Sequence, residues 1–152
     1  MFKNPVYNII SKDDLSDLKK EIQIFESKTG CELKICIRYK RGIHQKKFTL
    51  RELSVKEFRK LGVYKTKSRK GILIYLLMYE RKFDILPDIG FKDIIPDTKW
   101  KEYSEKFKQY FRDGKFKNGF IHIIDDLKNI LSEYHSQDGN TPNELNDDIV
   151  IE

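Results

Sequence analysis

The apolar run between Gly71 and Glu80 constrains the fold of this chain more than any other segment. Its eight residues, Ile72–Tyr79, carry no charge in a sequence in which 36% of the residues are charged. A strand that is apolar on both faces must be covered on both sides, so the run predicts a central strand with helices against each face of its sheet. A second strand-like run, Lys82–Leu86, follows so closely that it predicts an antiparallel hairpin.

Capping signals and periodicity predict two helices and a strand in the first half of the chain. Ser11 with Asp14, and Thr49 with Glu52, have the spacing of capping boxes, and each pair precedes a run with apolar residues on one helical face. Between these helices, residues 31–40 alternate between apolar and mostly polar side chains. That alternation predicts a strand with one solvated face near the edge of a sheet.

The second half of the chain predicts two more helices. The first has Asp97 as its N-cap, and the second begins near Asn118. A short extra strand is expected from either of two segments, Pro5–Ile10 or Ile149–Ile151. The order of elements predicts an α/β fold, a three-layer α/β/α sandwich with a small mixed sheet of three to four strands.

Charge divides the chain into a basic body and an acidic end. The chain has a net charge of +6, yet residues from Asp138 onward include five acidic residues and no basic ones. We therefore predict one α/β domain over residues 1–136 and an acidic, mostly extended C-terminal tail over residues 137–152. A basic body is suited to an anionic partner or to contact with this tail.

Most enzyme classes with strong sequence motifs are excluded. There is no phosphate-binding GxxxxGK[ST] loop, no HExxH zinc motif and no GxSxG nucleophile elbow. Cys31 and Cys36 point to opposite faces of their strand, which predicts two free thiols and fits a reducing cytoplasm. No segment has the roughly 20 apolar residues that cross a bilayer, and no secretory signal opens the sequence.

An acidic loop after the hairpin predicts a cation site. Asp88, Asp93 and Asp97 lie in one loop with Gly90, and carboxylate and carbonyl oxygens are the ligands of calcium and magnesium. The spacing matches no EF-hand loop. A second interpretation stays open, in which Asp97 caps a helix and Asp88 is a turn residue.

Several short segments, taken in order, resemble the TPM domain family, in particular its small cytosolic bacterial members and the related TPM phosphatase or thylakoid acid phosphatase-like domains. The likeness extends over about residues 12–150. The Glu26–Leu33 segment is similar to the "TGAEI" entry of the family to its first strand. The other matching segments are Arg69–Tyr75, Glu80–Phe83, Pro87–Phe91, Phe111–Phe120 and Asn143–Ile149.

The resemblance implies a sandwich of helices around a small mixed sheet. Some members of the family resemble acid phosphatases and bind calcium near the end of the sheet, and others are accessory parts of membrane-associated systems. Carried over to this chain, Asp88 and Asp97 would lie near the cation, with Glu32 and Arg81 as neighbours in the same groove. Lys70 stands where the family has asparagine, which would add a cationic neighbour to that groove.

Three functions follow as hypotheses. The first is a non-catalytic TPM-type module with a calcium or magnesium site and a protein or membrane-complex partner. The second is a metal-assisted acid phosphatase, in which Arg81 or Lys70 would neutralise the charge that develops on phosphate. The third is an anion or nucleic-acid binder that uses two basic loops, Lys40–Lys47 and Lys65–Lys70, on one end of the sheet. We expect no nucleic-acid partner, because the motifs of known nucleic-acid-binding folds are absent.

Overall fold

The computed structural model of this chain describes residues 3–134 and 144–152. These residues form four α-helices, a four-stranded sheet and several short 3-10 turns. The helices are α1 (Lys12–Thr29), α2 (Leu50–Lys60), α3 (Asp97–Arg112) and α4 (Phe116–Leu131), and the strands are β1 (Glu32–Arg38), β2 (Gly71–Leu77), β3 (Lys82–Pro87) and β4 (Val150–Ile151).

The sheet is mixed, with the strand order β3-β2-β1-β4. Strands β1 and β2 are parallel, β2 and β3 form the predicted antiparallel hairpin, and β4 lies parallel to β1. Val150–Ile151 thus supplies the extra strand. In the alternative segment, Pro5–Ile10, residues Pro5–Asn8 form a 3-10 turn because the Asn4 side chain caps it and proline begins it.

Helices cover both faces of the sheet, which confirms the α/β/α sandwich. Alternate residues of β2 face opposite layers, because successive side chains of a strand point to opposite sides. Ile72, Ile74 and Leu76 pack into the larger core cluster together with α1, α3 and α4. Their neighbours in the strand face α2 in a smaller cluster. All seven residues of β2 are buried, as expected of a central strand.

Strand β1 is not the half-solvated edge strand that its alternation predicts. Six of its seven residues are buried, including Glu32 and Lys34, and it lies between β2 and β4. The prediction is wrong because residues 144–152 cover the polar side chains of β1. Cys31 and Cys36 fall in different core clusters, and both are free and buried, as predicted.

The two basic loops lie at opposite ends of the sheet rather than at one end. Lys40–Lys47 follows the carboxyl end of β1, whereas Lys65–Lys70 precedes the amino end of β2. Because β1 and β2 are parallel, with Glu32 beside Gly71 and Arg38 beside Leu77, these ends are a full strand length apart. The two loops therefore do not form one continuous anionic binding surface.

Helices α3 and α4 approach closely at Gly119. A methyl group added at Gly119 would lie 2.7 Å from a ring carbon of Phe111, which is fully buried and stacks on Phe83. A ring held by packing on several sides cannot retreat without moving its neighbours. The contact between the two helices therefore depends on the absence of a side chain at Gly119.

We predict that Gly119→Ala destabilises the protein by about 1–3 kcal/mol, because overpacking outweighs the gain of roughly 1 kcal/mol in helix propensity. Urea unfolding measures the difference. Asn118→Ala, an exposed substitution on the same helix, is the matched control and should leave stability unchanged or slightly higher. Greater stability of Gly119→Ala would show that the two helices have room to separate.

Candidate functional site

Asp88 is held in an ion pair. Its two carboxylate oxygens lie 2.8 and 3.0 Å from Nε and Nη2 of Arg69, and the backbone N–H of Ile89 donates to the same carboxylate. The Asp88 side chain is only 3% exposed, while Arg69 remains partly exposed. The guanidinium thus occupies the lone pairs that a cation would need.

The other two predicted metal ligands lie apart from that ion pair. Asp93 is exposed, and Asp97 is the first residue of α3 after the N-cap Pro96 rather than the cap itself. In the described part of the chain, two groups of three His, Cys, Asp or Glu side chains have ligand atoms within 4.8 Å of one another. Neither group includes Asp88, Asp93 or Asp97, so the predicted trio is not assembled in this structure.

The three predicted neighbours of the groove are at two different places. The backbone N–H of Glu32 donates to the carbonyl of Lys70 at 3.2 Å, at the amino end of the parallel strands. Arg81 lies in the turn that ends the hairpin opposite Asp88, and its guanidinium donates to the carbonyl of Arg112 at 2.7 Å. The hairpin thus separates Arg81 from the other groove residues.

One of the two groups consists of three carboxylates that the sequence analysis did not place together. Glu26 comes from the end of α1, Glu32 from the start of β1 and Asp147 from the segment that precedes β4. The N–H of Leu33 donates to Glu26 at 2.9 Å, and the N–H of Glu144 donates to Glu32 Oε1 at 2.6 Å. Backbone contacts therefore orient two of the three carboxylates.

Lys34 holds the C-terminal segment beside this carboxylate cluster. Its Nζ donates to the carbonyl oxygens of Asn146 and Asp148, both at 2.8 Å. Burial lowers the pKa of Lys34, and the charges of Asp148, Asp147 and Glu26 oppose that shift. Lys19 adds an exposed ion pair to Asp148 at 2.6 Å. Residues 144–149 thereby run alongside β1 before they join it as β4.

The cluster carries a proton at neutral pH in the absence of a cation. Burial, followed by hydrogen bonds to Asp147 and Glu32, raises the pKa of Glu26 to about 11. Glu32 is 4% exposed, and among residues 3–134 and 144–152 no donor other than the protonated Glu26 is available to its Oε2. Three carboxylates crowded together in this way are a ligand set for calcium or magnesium.

The second group, Cys36, Glu57 and Glu152, anchors β4. Burial, followed by a hydrogen bond to Glu152, raises the pKa of Glu57 to about 7. The Glu152 carboxylate accepts from Lys60 at 2.9 Å and lies 3.7 Å from Arg38. Burial also raises the pKa of the Cys36 thiol, so a thiolate ligand is disfavoured here. Two basic residues already compensate this group, which makes it the weaker cation site.

Comparison with known proteins identifies a family and a shared fold. A family model described as the TPM domain matches residues 6–130. The BA42 protein from the psychrophilic bacterium Bizionia argentinensis superposes with a TM-score of 0.81 at 21% identity, over 94% of this chain and 95% of that one. The N-terminal domain of a protein from P. gingivalis gives a TM-score of 0.69 at 17% identity, over 83% and 78% of the two chains. No curated protein matches.

The buried, protonated Glu26 predicts the pH dependence of stability. Its folded-state pKa lies above the unfolded value, so its contribution to stability is fully present below about pH 4.5 and is lost progressively as the pH rises. Glu26→Gln keeps one donor and one acceptor without the charge. We expect this variant to be more stable than the wild type by about 1–3 kcal/mol at pH 8, and equal to it near pH 4.

Urea unfolding of both proteins between pH 4 and 9 measures this difference. Glu21→Gln is the control, because Glu21 lies on the same helix and its side chain makes no hydrogen bond or ion pair within the described residues. If Glu26→Gln and the wild type lose stability in parallel as the pH rises, Glu26 is not the protonated group.

Proposed function

This chain belongs to the TPM domain family, and we propose that it is a non-catalytic TPM module that binds a divalent cation through Glu26, Glu32 and Asp147. One observation carries the proposal: three carboxylate oxygens from three separate elements lie within 4.8 Å of one another. Such crowding is costly, and the nearby Lys34 ammonium offsets only part of that cost, since the pKa of Glu26 is still raised. A cation that replaces the proton on Glu26 would supply further positive charge.

The chemistry of the ligands favours calcium over magnesium. Calcium accepts six to eight oxygen ligands in flexible geometry, whereas magnesium demands a near-octahedral shell and gives up its water reluctantly. The cluster is partly enclosed by the C-terminal segment, so a bound ion must lose some of its water. The Lys34 ammonium lies close by and repels a cation, so we expect weak binding. Binding would also tie Asp147, and with it the C-terminal segment, to α1 and β1.

The described residues favour binding over catalysis. Both cysteine thiols are buried, and burial raises the pKa of each, which disfavours a thiolate nucleophile. His122 stacks on Tyr110, and no thiol or carboxylate in the described part of the chain hydrogen-bonds to it. A metal-assisted phosphatase remains the alternative function, and phosphate-ester turnover tests it directly.

The proposal includes a protein partner and a reducing compartment. The chain has a net charge of +6, which suits an acidic partner, and the two free thiols suit the cytoplasm. In the part of the chain that the structure describes, no helix combines the length and apolar character needed to span a bilayer. We include a membrane-associated complex among the proposed partners.

We predict that calcium shifts the amide NMR signals of residues around Glu26, Glu32 and Asp147, and that magnesium shifts them less. Because binding displaces the proton on Glu26, the apparent affinity should rise by about tenfold per pH unit between pH 6 and 8. Glu32→Gln keeps the acceptor for the Glu144 N–H but removes a charged ligand, and should abolish the shifts.

Asp93→Asn is the matched control, since it removes an exposed carboxylate of the loop that the sequence favoured. Loss of binding in Asp93→Asn together with retention in Glu32→Gln would move the site to the Asp88–Asp97 loop. If neither ion shifted any amide NMR signal, the cation site would be refuted. If the wild type hydrolysed a phosphate monoester and Glu32→Gln did not, the site would be catalytic, and the phosphatase function would replace the proposed binding function.

A further inference from the structure

Ile43 is the most exposed of the large apolar side chains in the described part of the chain. It is 83% exposed and begins the 3-10 turn Ile43–Gln45, in the loop that follows β1. An isoleucine in water forgoes the favourable free energy that transfer to an apolar phase would provide. One exposed apolar side chain is ordinary on a protein surface, so its meaning depends on the side chains around it.

The loop that carries Ile43 is held in place by Arg41. The guanidinium of Arg41 lies 2.6 Å from the Glu80 carboxylate, and it also donates to the carbonyl oxygens of Gln45 and Phe48. These contacts tie the loop to itself and to the neighbouring hairpin. A side chain on such a fixed loop can enter a partner with little further loss of conformational entropy.

The ion pair between Arg41 and Glu80 also joins this loop to the turn of the β2–β3 hairpin. Tyr79 in that turn is 62% exposed, and its N–H donates to the carbonyl of Tyr39 at 2.8 Å. The two tyrosine rings are 5.9 Å apart, and the Lys40 ammonium lies 5.0 Å from the centre of the Tyr79 ring. An exposed tyrosine, with an apolar ring and a polar hydroxyl, suits the boundary between water and lipid.

We call residues 39–48 and 79–82 the basic rim, because positive charge dominates these two segments. They contain six basic residues and one acidic residue, Glu80. Arg41 already compensates the charge of Glu80. The other five basic side chains are exposed and form no ion pair within residues 3–134 and 144–152; they are Lys40, Lys46, Lys47, Arg81 and Lys82. The rim therefore carries uncompensated positive charge beside its exposed apolar side chains.

We propose that the basic rim docks on an anionic lipid bilayer, with Ile43 inserted among the acyl chains, Tyr79 at the level of the headgroups and the lysine ammonium groups against lipid phosphates. A single small apolar anchor binds a membrane weakly, and so does a short set of basic residues. Together they give reversible binding that depends on salt. The rim lies at the carboxyl end of β1 and the carboxylate cluster at its amino end, so this proposal does not rest on the cation site.

A bilayer suits the shape of the rim better than other anionic partners do. Ile43 projects from the surface, and a fluid layer of acyl chains accepts a projecting side chain without a preformed pocket. An acidic protein would need a pocket that matches Ile43, and a nucleic acid has no apolar layer for an aliphatic side chain to enter. A second copy of this chain would bring the same excess of positive charge.

Sedimentation with lipid vesicles tests the proposal, using the whole chain in the presence of a chelator so that the cation site stays empty. At about 0.1 M salt, vesicles of equal parts phosphatidylglycerol and phosphatidylcholine should bind the protein about tenfold more tightly than phosphatidylcholine alone, or better. Raising the salt to about 0.5 M should weaken this binding roughly tenfold, because exposed charges are then screened. Glu32→Gln, which removes a ligand of the proposed cation site, should bind vesicles like the wild type.

Ile43→Ser tests the insertion of the apolar side chain, and Ile89→Ser is its matched control. Ile89 is 65% exposed and follows β3 at the opposite end of the sheet. We expect Ile43→Ser to bind anionic vesicles about tenfold more weakly and Ile89→Ser to bind like the wild type. In Ile43→Trp, the added indole fluorescence should shift to shorter wavelength with anionic vesicles, whereas in Ile89→Trp it should not.

Lys46→Glu/Lys47→Glu tests the contribution of charge. Lys65→Glu/Lys92→Glu is its control, since it makes the same change in charge on exposed side chains at the opposite end of the sheet. We expect the first variant to bind anionic vesicles about tenfold more weakly than the second.

Three results would overturn the proposal. They are no binding to anionic vesicles at low salt, equal binding by Ile43→Ser and the wild type, and an equal loss of binding in the two charge variants. If an oligonucleotide shifted the amide NMR signals of the rim and vesicles did not bind, the rim would be assigned to nucleic acid instead.

Discussion

The structure depends on how the polar side chains of β1 are buried. Glu32 and Lys34 lie inside a strand that has cores on both faces, and an unpaired buried charge costs several kcal/mol. Backbone groups of residues 144–148 meet both side chains, since Glu144 donates to Glu32 and two carbonyls accept from Lys34. The C-terminal segment therefore completes the sheet and also brings Asp147 to the carboxylate cluster.

The layers of the fold could be predicted because they depend on local pattern. The unbroken apolar run of β2 indicated a central strand, and the short link after it indicated a hairpin, and both are confirmed. The same reasoning failed for β1, where alternation was interpreted as solvent exposure. Alternation records which residues are polar. It does not record whether another part of the chain covers them.

The candidate site was harder to predict, because its ligands are distant in sequence. Asp88, Asp93 and Asp97 are close along the chain, but Arg69 neutralises Asp88 and the other two are exposed. Glu26 and Asp147 are more than a hundred residues apart and meet only through the covering segment. The charged residues within β1 were the one sequence signal for this site, because charged residues in a buried strand need partners from elsewhere in the chain. The resemblance to the TPM family is confirmed by the family model, while neighbours at 21% identity or less support the fold alone.

The parallel pairing of β4 with β1 has a consequence for the order of folding. Cys36 pairs with Val150, so this contact closes a loop of more than a hundred residues, and such distant contacts form late. On the ribosome, β1, β2 and β3 can associate with their helices well before residue 150 emerges. Until then, Lys34 and Glu32 remain hydrated and one flank of the sheet stays open to the chaperones that attend nascent chains.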